Sequence, residues 1–388
     1  MDIRLFVLAL ATFVTGTAEN IIIGILPSIA PGLSVSVSVA GQLTSVFSIT
    51  FALTAPLALI LTTRFERKNI LVSALGIFIA SNIIACISPN YAILFAARIG
   101  MAAASAIFCL IATMLATELV GPAMRGRAIG IIFMGISGSM VAGVPTGMIL
   151  DEWLSWRAVF LGLALAAALV FLLSLRVLPK TGRNPGGLPP YMPHLKSSRL
   201  RSAQLVSILM IGGHFVLFAY LSSYLLEVVH IPSHKVIWAM VAFGLAGMTG
   251  GYLGGLFVDK LSPRLAIVLT PLLYLTALTA IPLAVGSSTI FGAALMAWAC
   301  VSWMISPVVQ SFLITTDPAT ADAGVGINLS AMHVGVALGT AMGGLVLQHL
   351  SFHALPWFGC ILVALSLLCA LNASRFFPGR RASIDTSR

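Results

Sequence analysis

The amino-acid sequence predicts an all-α integral membrane protein with twelve transmembrane helices in two pseudo-symmetric six-helix bundles. Three observations lead to this fold class: an apolar composition, twelve long apolar runs and an internal repeat. Of 388 residues, 59% are hydrophobic and only 8% are charged, whereas about 25% are charged in a typical soluble domain. A soluble protein with so few charges would expose large apolar patches, but helices inside a lipid bilayer require this composition.

Twelve apolar runs are each long enough to cross a bilayer, which takes about 20 residues of α-helix. The runs are continuous, which disfavours the short strands of alternating polarity that form membrane β-barrels. The predicted spans are residues 4–30, 40–62, 69–88, 91–120, 127–150, 157–179, 203–228, 234–257, 264–285, 288–315, 323–349 and 353–376.

The lysines and arginines predict how these helices are oriented, because short cytoplasmic loops carry an excess of both. With the N-terminus in the cytoplasm, all of the 21 except Arg98, Arg157 and Lys235 fall in cytoplasmic segments. A helix count changed by one would scramble this pattern. We therefore expect a multi-pass protein of a bacterial plasma membrane with both termini in the cytoplasm.

The longest connection between spans is rich in proline, glycine and charge, which is typical of a linker between domains. It contains Pro185, Gly186, Gly187, Pro189 and Pro190. The expected organisation is an N-terminal six-helix bundle at 1–179, a cytoplasmic linker at 180–202, a C-terminal six-helix bundle at 203–376 and a cytoplasmic tail at 377–388.

Small residues recur at every fourth position in the fifth helix and again in the eleventh, about 200 residues later. They are Gly135, Ser139, Gly143 and Gly147 in the fifth helix and Gly335, Gly339 and Gly343 in the eleventh. Such stripes let membrane helices approach closely. Their presence in corresponding helices predicts a duplicated six-helix unit, and paired repeats with a site between them are typical of secondary transporters.

Several classes of function are disfavoured by what the chain contains. The net charge of +10 arises in short loops between apolar runs, a pattern of membrane topology rather than of nucleic-acid binding. The chain has no GxxxxGK[ST] motif for ATP and no long soluble segment for an enzyme. Its five cysteines lack CxxC spacing. We expect a monomer without metal or cofactor, whose partners are a small-molecule substrate, protons and the lipid bilayer.

Glu19 and Arg98 are the charged residues that lie deep in predicted spans. A carboxylate in the bilayer costs several kcal/mol, about 2.5 or more, and by default marks a functional site. Thr12, Thr15 and Glu19 share a helical face, which indicates a polar cavity. Arg98 lies at a similar depth and could pair with Glu19 to give a proton-coupling site. The alternatives are a structural ion pair for Glu19 and snorkelling to the interface for Arg98.

Two histidines, three carboxamides and several aromatic residues inside the spans are candidate substrate ligands. Histidine side chains ordinarily titrate near neutral pH, so His214 and His333 could bind substrate, relay protons or make a structural hydrogen bond. Carboxamides can pair with the edge of a purine, and aromatic rings can stack on it, although most aromatics in membrane helices serve packing. These candidates are Asn20, Gln310, Asn328, Phe47, Phe133, Phe218 and Trp303.

Two connections in corresponding positions carry a related motif. The one after the second helix reads Leu61-Thr-Thr-Arg-Phe-Glu-Arg-Lys68, and the one after the eighth reads Gly254-Gly-Leu-Phe-Val-Asp-Lys260. Both resemble the loop motif of the major facilitator superfamily, in which a glycine pair precedes an acid and basic residues. The first copy departs from it, with Thr63 in place of the acid and Glu66 in place of a glycine. The resemblance implies gating roles for Arg64, Glu66, Arg67, Lys68, Asp259 and Lys260, with Glu118 as a further gate partner.

Other segments resemble motifs of the same superfamily. Residues 94–100 (LFAARIG) are similar to its fourth-helix motif, whose arginine is Arg98 here. Residues 143–147 (GVPTG) resemble a fifth-helix motif associated with antiporters, which implies gating roles for Gly143, Pro145 and Gly147. Residues 24–30, 40–47 and 127–135 resemble the drug/proton antiporter branch, and are most similar to bacterial purine base and nucleoside efflux pumps and also to arabinose-type efflux permeases.

The sequence and the resemblance together predict a proton-coupled secondary transporter with a major facilitator fold. It would export a purine base, a nucleoside or an analogue by alternating access. Each proton that moves down a membrane potential supplies about 2.3 kcal/mol per 100 mV, which replaces ATP as the energy source. The alternatives are a multidrug or sugar exporter of the same fold and a non-transporting membrane sensor, which would more often carry a soluble signalling domain.

Overall fold

The computed structural model describes residues 3–120, 124–179 and 191–375, apart from the side chains of 59–64, 125–127, 129, 322 and 375. Every regular element in these ranges is a helix. Twelve of the described helices are long and apolar enough to cross a membrane. The predicted fold class and the number of spans are therefore confirmed.

The helix bounds agree with the predicted spans to within a few residues. The first half contains α1 (Ile3–Gly32), α2 (Val37–Arg64), α3 (Arg67–Cys86), α4 (Tyr91–Glu118), α5 (Arg125–Gly138, continued by Ser139–Gly143 and Val144–Trp153) and α6 (Trp156–Val177). The second half contains α7 (Ser198–Phe218, continued by Leu221–Glu227), α8 (Ser233–Lys260), α9 (Pro263–Ala284), α10 (Ser288–Trp303, continued by Ile305–Thr316), α11 (Ala321–His349) and α12 (Leu355–Arg375).

Prolines account for irregular turns in α5 and α10. Pro145 follows a π-helical turn at Ser139–Gly143, and Pro307 follows the break of α10 at Met304. A proline has no N–H for the carbonyl four residues before it, and its ring clashes with that carbonyl. The helix adjusts by widening or breaking at that point.

The small-residue stripes pack equivalent helices in the two halves, as the repeat predicts. An alanine Cβ built on Gly135 of α5 would lie 2.3 Å from the carbonyl oxygen of Ala9 in α1. One built on Gly339 of α11 would lie 2.1 Å from the carbonyl oxygen of Gly212 in α7. In both halves the fifth helix therefore packs against the first at a distance that excludes a side chain.

A matching turn follows the first helix of each half. Ser34, after α1, has φ 54°, and His230, after α7, has φ 55°. A left-handed residue just past a helix end satisfies the last carbonyls of that helix. The two turns lie 196 positions apart, which agrees with the spacing of the repeat.

The two halves meet at one end of the bundle, which we call the far side; the end where α1 begins and α12 ends is the terminus side. Helix α2 packs on α11, α5 on α8, and α1 on the continuation of α7. Ser38 donates to the carbonyl of Gly344 at 2.6 Å, and Ser222 donates to that of Ile23 at 2.5 Å. These contacts close the far side.

The halves diverge toward the terminus side. Met140 and Val141 of α5 lie against Gly244 of α8. Phe133 lies two helical turns before Met140 on the same face of α5, yet its side chain is 52% exposed. Helix α8 therefore does not cover α5 at this level. The bundle is therefore more open at the terminus side, which is the cytoplasmic side in the orientation that the sequence predicts.

A short helix at Tyr191–Lys196, within the expected linker, docks on the second half. His194 is buried, with Nδ1 3.3 Å from Oγ1 of Thr320 and Nε2 3.2 Å from Nε2 of Gln204. Gly324 leaves room for the imidazole, since a Cβ there would lie 2.6 Å from its Cε1. Burial lowers the pKa of His194 below its ordinary value, and Asp317 offsets part of this effect.

We expect Gly339→Ala to destabilise the protein, because the added methyl group meets backbone atoms that cannot move aside. Overpacking of this kind costs about 1–3 kcal/mol, so the apparent Tm of the purified protein should fall by several degrees. Gly251→Ala is the matched control, because that position in α8 faces open space. Equal melting temperatures for the two variants would contradict the close contact of α11 with α7.

Docking of the linker helix should weaken as the pH falls. Because burial lowers the pKa of His194, the undocked helix binds a proton more readily, so docking is fully stabilised above the ordinary value of about 6.5 and loses stability below it. Amide hydrogen exchange of residues 191–196, corrected for intrinsic rates, should accelerate between pH 7.5 and 5.5. His194→Gln should remove this change. A wild-type exchange rate that does not vary with pH would refute the effect.

Candidate functional site

Glu19 joins the two halves near the middle of the bundle. Its carboxylate Oε1 lies 3.4 Å from Nε2 of His333, and the Glu19 side chain is 25% exposed. Glu19 belongs to α1 and His333 to α11, so the contact is between halves. An ionisable pair at this place changes its charge or its hydrogen bonding whenever the halves separate.

His333 is held in place by two further contacts. Its Nδ1 lies 2.9 Å from the carbonyl oxygen of Leu329, one turn earlier in α11. Its ring stacks on Phe51 of α2, with centroids 3.9 Å apart and planes within 1° of parallel. The second ring nitrogen is thereby directed at Glu19. The sequence did not single out Phe51, because nothing in its own helix distinguishes it from other packing aromatics.

Arg98 is fully buried and uses its guanidinium on backbone carbonyls. It donates to the carbonyl of Ala18 at 2.5 Å, of Glu19 at 3.2 Å and of Leu43 at 3.3 Å. The guanidinium also lies over the ring of Phe47, 4.3 Å from its centroid. Arg98 therefore fastens α4 to α1 and α2. The expected contact with the Glu19 carboxylate is replaced by one with the Glu19 carbonyl, and snorkelling is excluded by complete burial.

A small cleft lies between α1, α5, α7 and α8, and Asn20 in its wall is the neighbour of Glu19 in the chain; its cavity volume is about 10 Å³, which is room for about one water molecule. A ligand pocket usually measures about 300–1,000 Å³, so the helices around this cleft must move apart before a solute can enter it. Its wall is apolar except for one carboxamide, and consists of Asn20, Ile23, Met140, Val144, Phe218, Met240 and Phe243. Two of the predicted substrate residues, Asn20 and Phe218, are therefore brought together.

His214 lies behind Phe218 in the core of the second half. Its Nδ1 is 2.9 Å from the hydroxyl of Tyr274, which also accepts a bond from Trp298 Nε1 at 2.7 Å. The imidazole stacks on Phe218 with a centroid distance of 4.6 Å. This arrangement favours the structural interpretation of His214, whose hydrogen bond ties α7 to α9 and α10.

The remaining predicted ligands are not gathered in the cleft wall. Asn328 is buried and donates to Gln204 at 2.9 Å and to Ser207 at 2.8 Å, which fastens α11 to α7. Gln310 donates to Ser306 in its own helix at 3.0 Å. Trp303 fills the space beside Gly247 between α8 and α10. Phe133 lies nearer the terminus side, on the exposed face described above.

The residues of the first loop motif join helices of the first half. Arg67, at the start of α3, is buried and pairs with Glu118 at the end of α4. Lys68 donates to the carbonyls of Leu175 at 2.9 Å and Leu178 at 2.6 Å, where a positive charge stabilises the C-terminus of α6. Glu66 is the residue that precedes α3. The side chain of Arg64 lies outside the described residues.

The other predicted gating residues lie at two places. Asp259 and Lys260 are exposed at the end of α8. Gly143 and Gly147 of α5 face α1, where a Cβ on Gly143 would lie 2.0 Å from Oγ1 of Thr17. Pro145 lies between them, just after the π-helical turn. The fifth-helix motif thus forms the close contact of α5 with α1, where it meets Thr17 and Ile21 on either side of Glu19.

Comparison with known proteins identifies the family. The model of the Major Facilitator Superfamily matches residues 8–321 and 205–386. The chain is 27% identical to the "Probable sugar efflux transporter" of Mannheimia succiniciproducens, over 94% of this chain and 92% of that one. It is 29% identical to the "Inner membrane transport protein YdhP" of Escherichia coli, over 96% of each. The fold matches a bacterial homologue of the human lysosomal transporter Spinster in an inward-facing and occupied conformation, with a TM-score of 0.81, 18% identity and 96% coverage of each chain.

We expect Arg98→Lys to lower the stability of the protein markedly. A lysine ammonium cannot reach carbonyls on two helices with the fixed fork of a guanidinium, and a poorly partnered buried charge costs about 3 kcal/mol or more. The apparent Tm should fall by more than that of Arg157→Lys, a control in which the arginine donates to Ser88 at 3.0 Å and is only half-buried. Similar losses for both variants would show that the carbonyl contacts contribute little.

Proposed function

The chain belongs to the Major Facilitator Superfamily, and on this basis we propose that it is a proton-coupled antiporter that exports a purine base, a nucleoside or a similar planar solute. The family and its relatives are membrane transporters, and the chain is a multi-pass protein of the bacterial inner membrane. The transported solute, its direction and its coupling to protons are the proposal.

One observation supports the proposed proton coupling. Glu19 lies at the contact between the halves, near a histidine of the opposite half. Alternating access requires the halves to move against each other. A carboxylate at their contact is exposed to different surroundings in the two states, and its affinity for a proton follows its surroundings. Binding and release of a proton can thereby be linked to the change of access.

The cleft supports a planar solute. Phe218 and Phe243 lie in its wall and stack on each other with ring centroids 5.0 Å apart. Aromatic faces bind flat heterocycles by stacking, and these two rings would offer a face to a solute once the cleft opens. Asn20 supplies an amide that can pair with the edge of a purine. Its Nδ2 now donates to the Gly16 carbonyl at 3.1 Å in its own helix, a contact that a solute could replace.

Sugar export is the second candidate, because one relative is named a probable sugar efflux transporter. Sugars carry many hydroxyl groups, and a site for them needs several polar partners. Among the described residues of the cleft wall, one carboxamide is available. The cleft chemistry therefore favours the planar solute.

Gradient-driven uptake into proteoliposomes that are acidic inside tests both parts of the proposal. The wild-type protein should accumulate labelled hypoxanthine, and Glu19→Gln should lower the gradient-driven rate at least tenfold, because an amide cannot carry the proton. Glu227→Gln is the matched control, since Glu227 is exposed at the far-side end of α7. A wild-type rate in Glu19→Gln would exclude Glu19 from coupling. Uptake of arabinose without hypoxanthine would instead support sugar export.

A further inference from the structure

The neighbours of the His333 ring show which of its two nitrogens carries a hydrogen. Nδ1 lies 2.9 Å from the carbonyl oxygen of Leu329, which can only accept a hydrogen bond, so Nδ1 must carry a hydrogen. In a neutral imidazole the other nitrogen, Nε2, then has a bare lone pair. Nε2 lies 3.4 Å from the carboxylate oxygen Oε1 of Glu19.

A carboxylate and a bare imidazole nitrogen are both acceptors, and they repel each other at this distance. The contact is attractive only if one proton lies between them, carried either by Nε2 as an imidazolium or by Glu19 as a carboxylic acid. We infer that Glu19 and His333 together hold one proton, and that this shared proton ties the two halves together while the far side is closed. The inference rests on the proposed function and extends the proton site to a second residue.

The surroundings support a proton site shared by these two groups. Two titratable groups of α4, Arg98 and Cys109, lie close enough to Glu19 to interact with its charge. Arg98 uses its donors on carbonyls of α1 and α2, and Cys109 Sγ lies 3.9 Å from the hydroxyl of Thr15. On α2 the pair meets Phe51, whose ring fixes the imidazole plane. His333 is therefore the titratable residue of the second half that contacts the Glu19 carboxylate.

Loss of the proton should weaken the far-side-closed state. Without it, the two acceptors face each other and the contact between α1 and α11 becomes repulsive. In an exporter, a proton taken up from outside would draw the halves together on the far side and leave the terminus side open. Its release there would let the far side open again. These steps follow one another in the order that proton-driven export requires.

The test measures how far-side closure depends on pH in the full-length protein in lipid nanodiscs. Spin labels on p-acetylphenylalanine at Ser36 and Ser233, which are exposed at the far-side ends of α2 and α8, leave the native cysteines in place. Double electron–electron resonance then gives the ratio of closed to open molecules. A single proton bound only in the closed state makes this ratio fall by up to about tenfold for each unit of rising pH.

Two variants separate the shared proton from other pH effects. Glu19→Gln offers an amide N–H to Nε2, so closure should persist and become independent of pH. His333→Phe keeps the stack on Phe51 but removes both nitrogens, so closure should be reduced and also independent of pH. If either variant keeps the wild-type pH dependence, the shared proton is refuted.

Nitrogen-15 NMR of histidine-labelled wild-type protein gives a second readout, in which a variant serves only to assign the signals. The His333 signals, assigned by comparison with His333→Phe, should show a hydrogen on Nδ1 at every pH, and a finding of hydrogen only on Nε2 would overturn the inference. The transport assay stands apart from both measurements. Closure that depends on pH without hypoxanthine uptake would overturn the proposed solute only, whereas driven uptake with closure independent of pH would overturn the shared proton only.

Discussion

The need to satisfy a buried arginine governs how the central polar groups of this protein are arranged. A charge inside a bilayer must find partners, and Arg98 finds them in carbonyls of α1 and α2 rather than in the Glu19 carboxylate. These hydrogen bonds hold α1, α2 and α4 together. Because the guanidinium is occupied, the Glu19 side chain is left to face the second half, where it meets His333. The carbonyls therefore satisfy the donors of Arg98, and the Glu19 carboxylate lies at the contact between the halves.

Each half is packed around its first helix. Small residues of α5 and α11 allow α1 and α7 to be approached to backbone contact, which in a membrane replaces the hydrophobic effect as the source of association between helices. Polar groups complete each half: Arg98 in the first half, and the chain of Trp298, Tyr274 and His214 in the second. Among the described residues, the interfaces between the halves run from the far side to the middle of the bundle.

The apolar cleft and the ionisable pair lie at separate places in the centre of the protein. The cleft is apolar, with Asn20 as its polar member among the described residues, whereas the ionisable pair lies beside it between α1 and α11. A solute that stacks on Phe218 and Phe243 need not displace the pair directly. In the proposed mechanism the two sites would communicate, because both are divided between the same two halves and occupation of either one would bias the same movement.

The sequence by itself determined the class of fold, the twelve spans and the duplication. The length and apolarity of each run and the spacing of its small residues are local properties, and a long apolar run in a bilayer must form a helix because its backbone polar groups have no other partners. It also singled out Glu19 and Arg98, since charge inside an apolar run is visible in one dimension. Which groups meet was decided only by the tertiary structure. The carbonyl partners of Arg98, the pairing of Glu19 with His333 and the stack on Phe51 join positions far apart in the chain. Every residue has a backbone carbonyl, so the residue types do not show which carbonyls Arg98 contacts. The rotation of each helix about its axis, which decides which side chains meet, is set by packing.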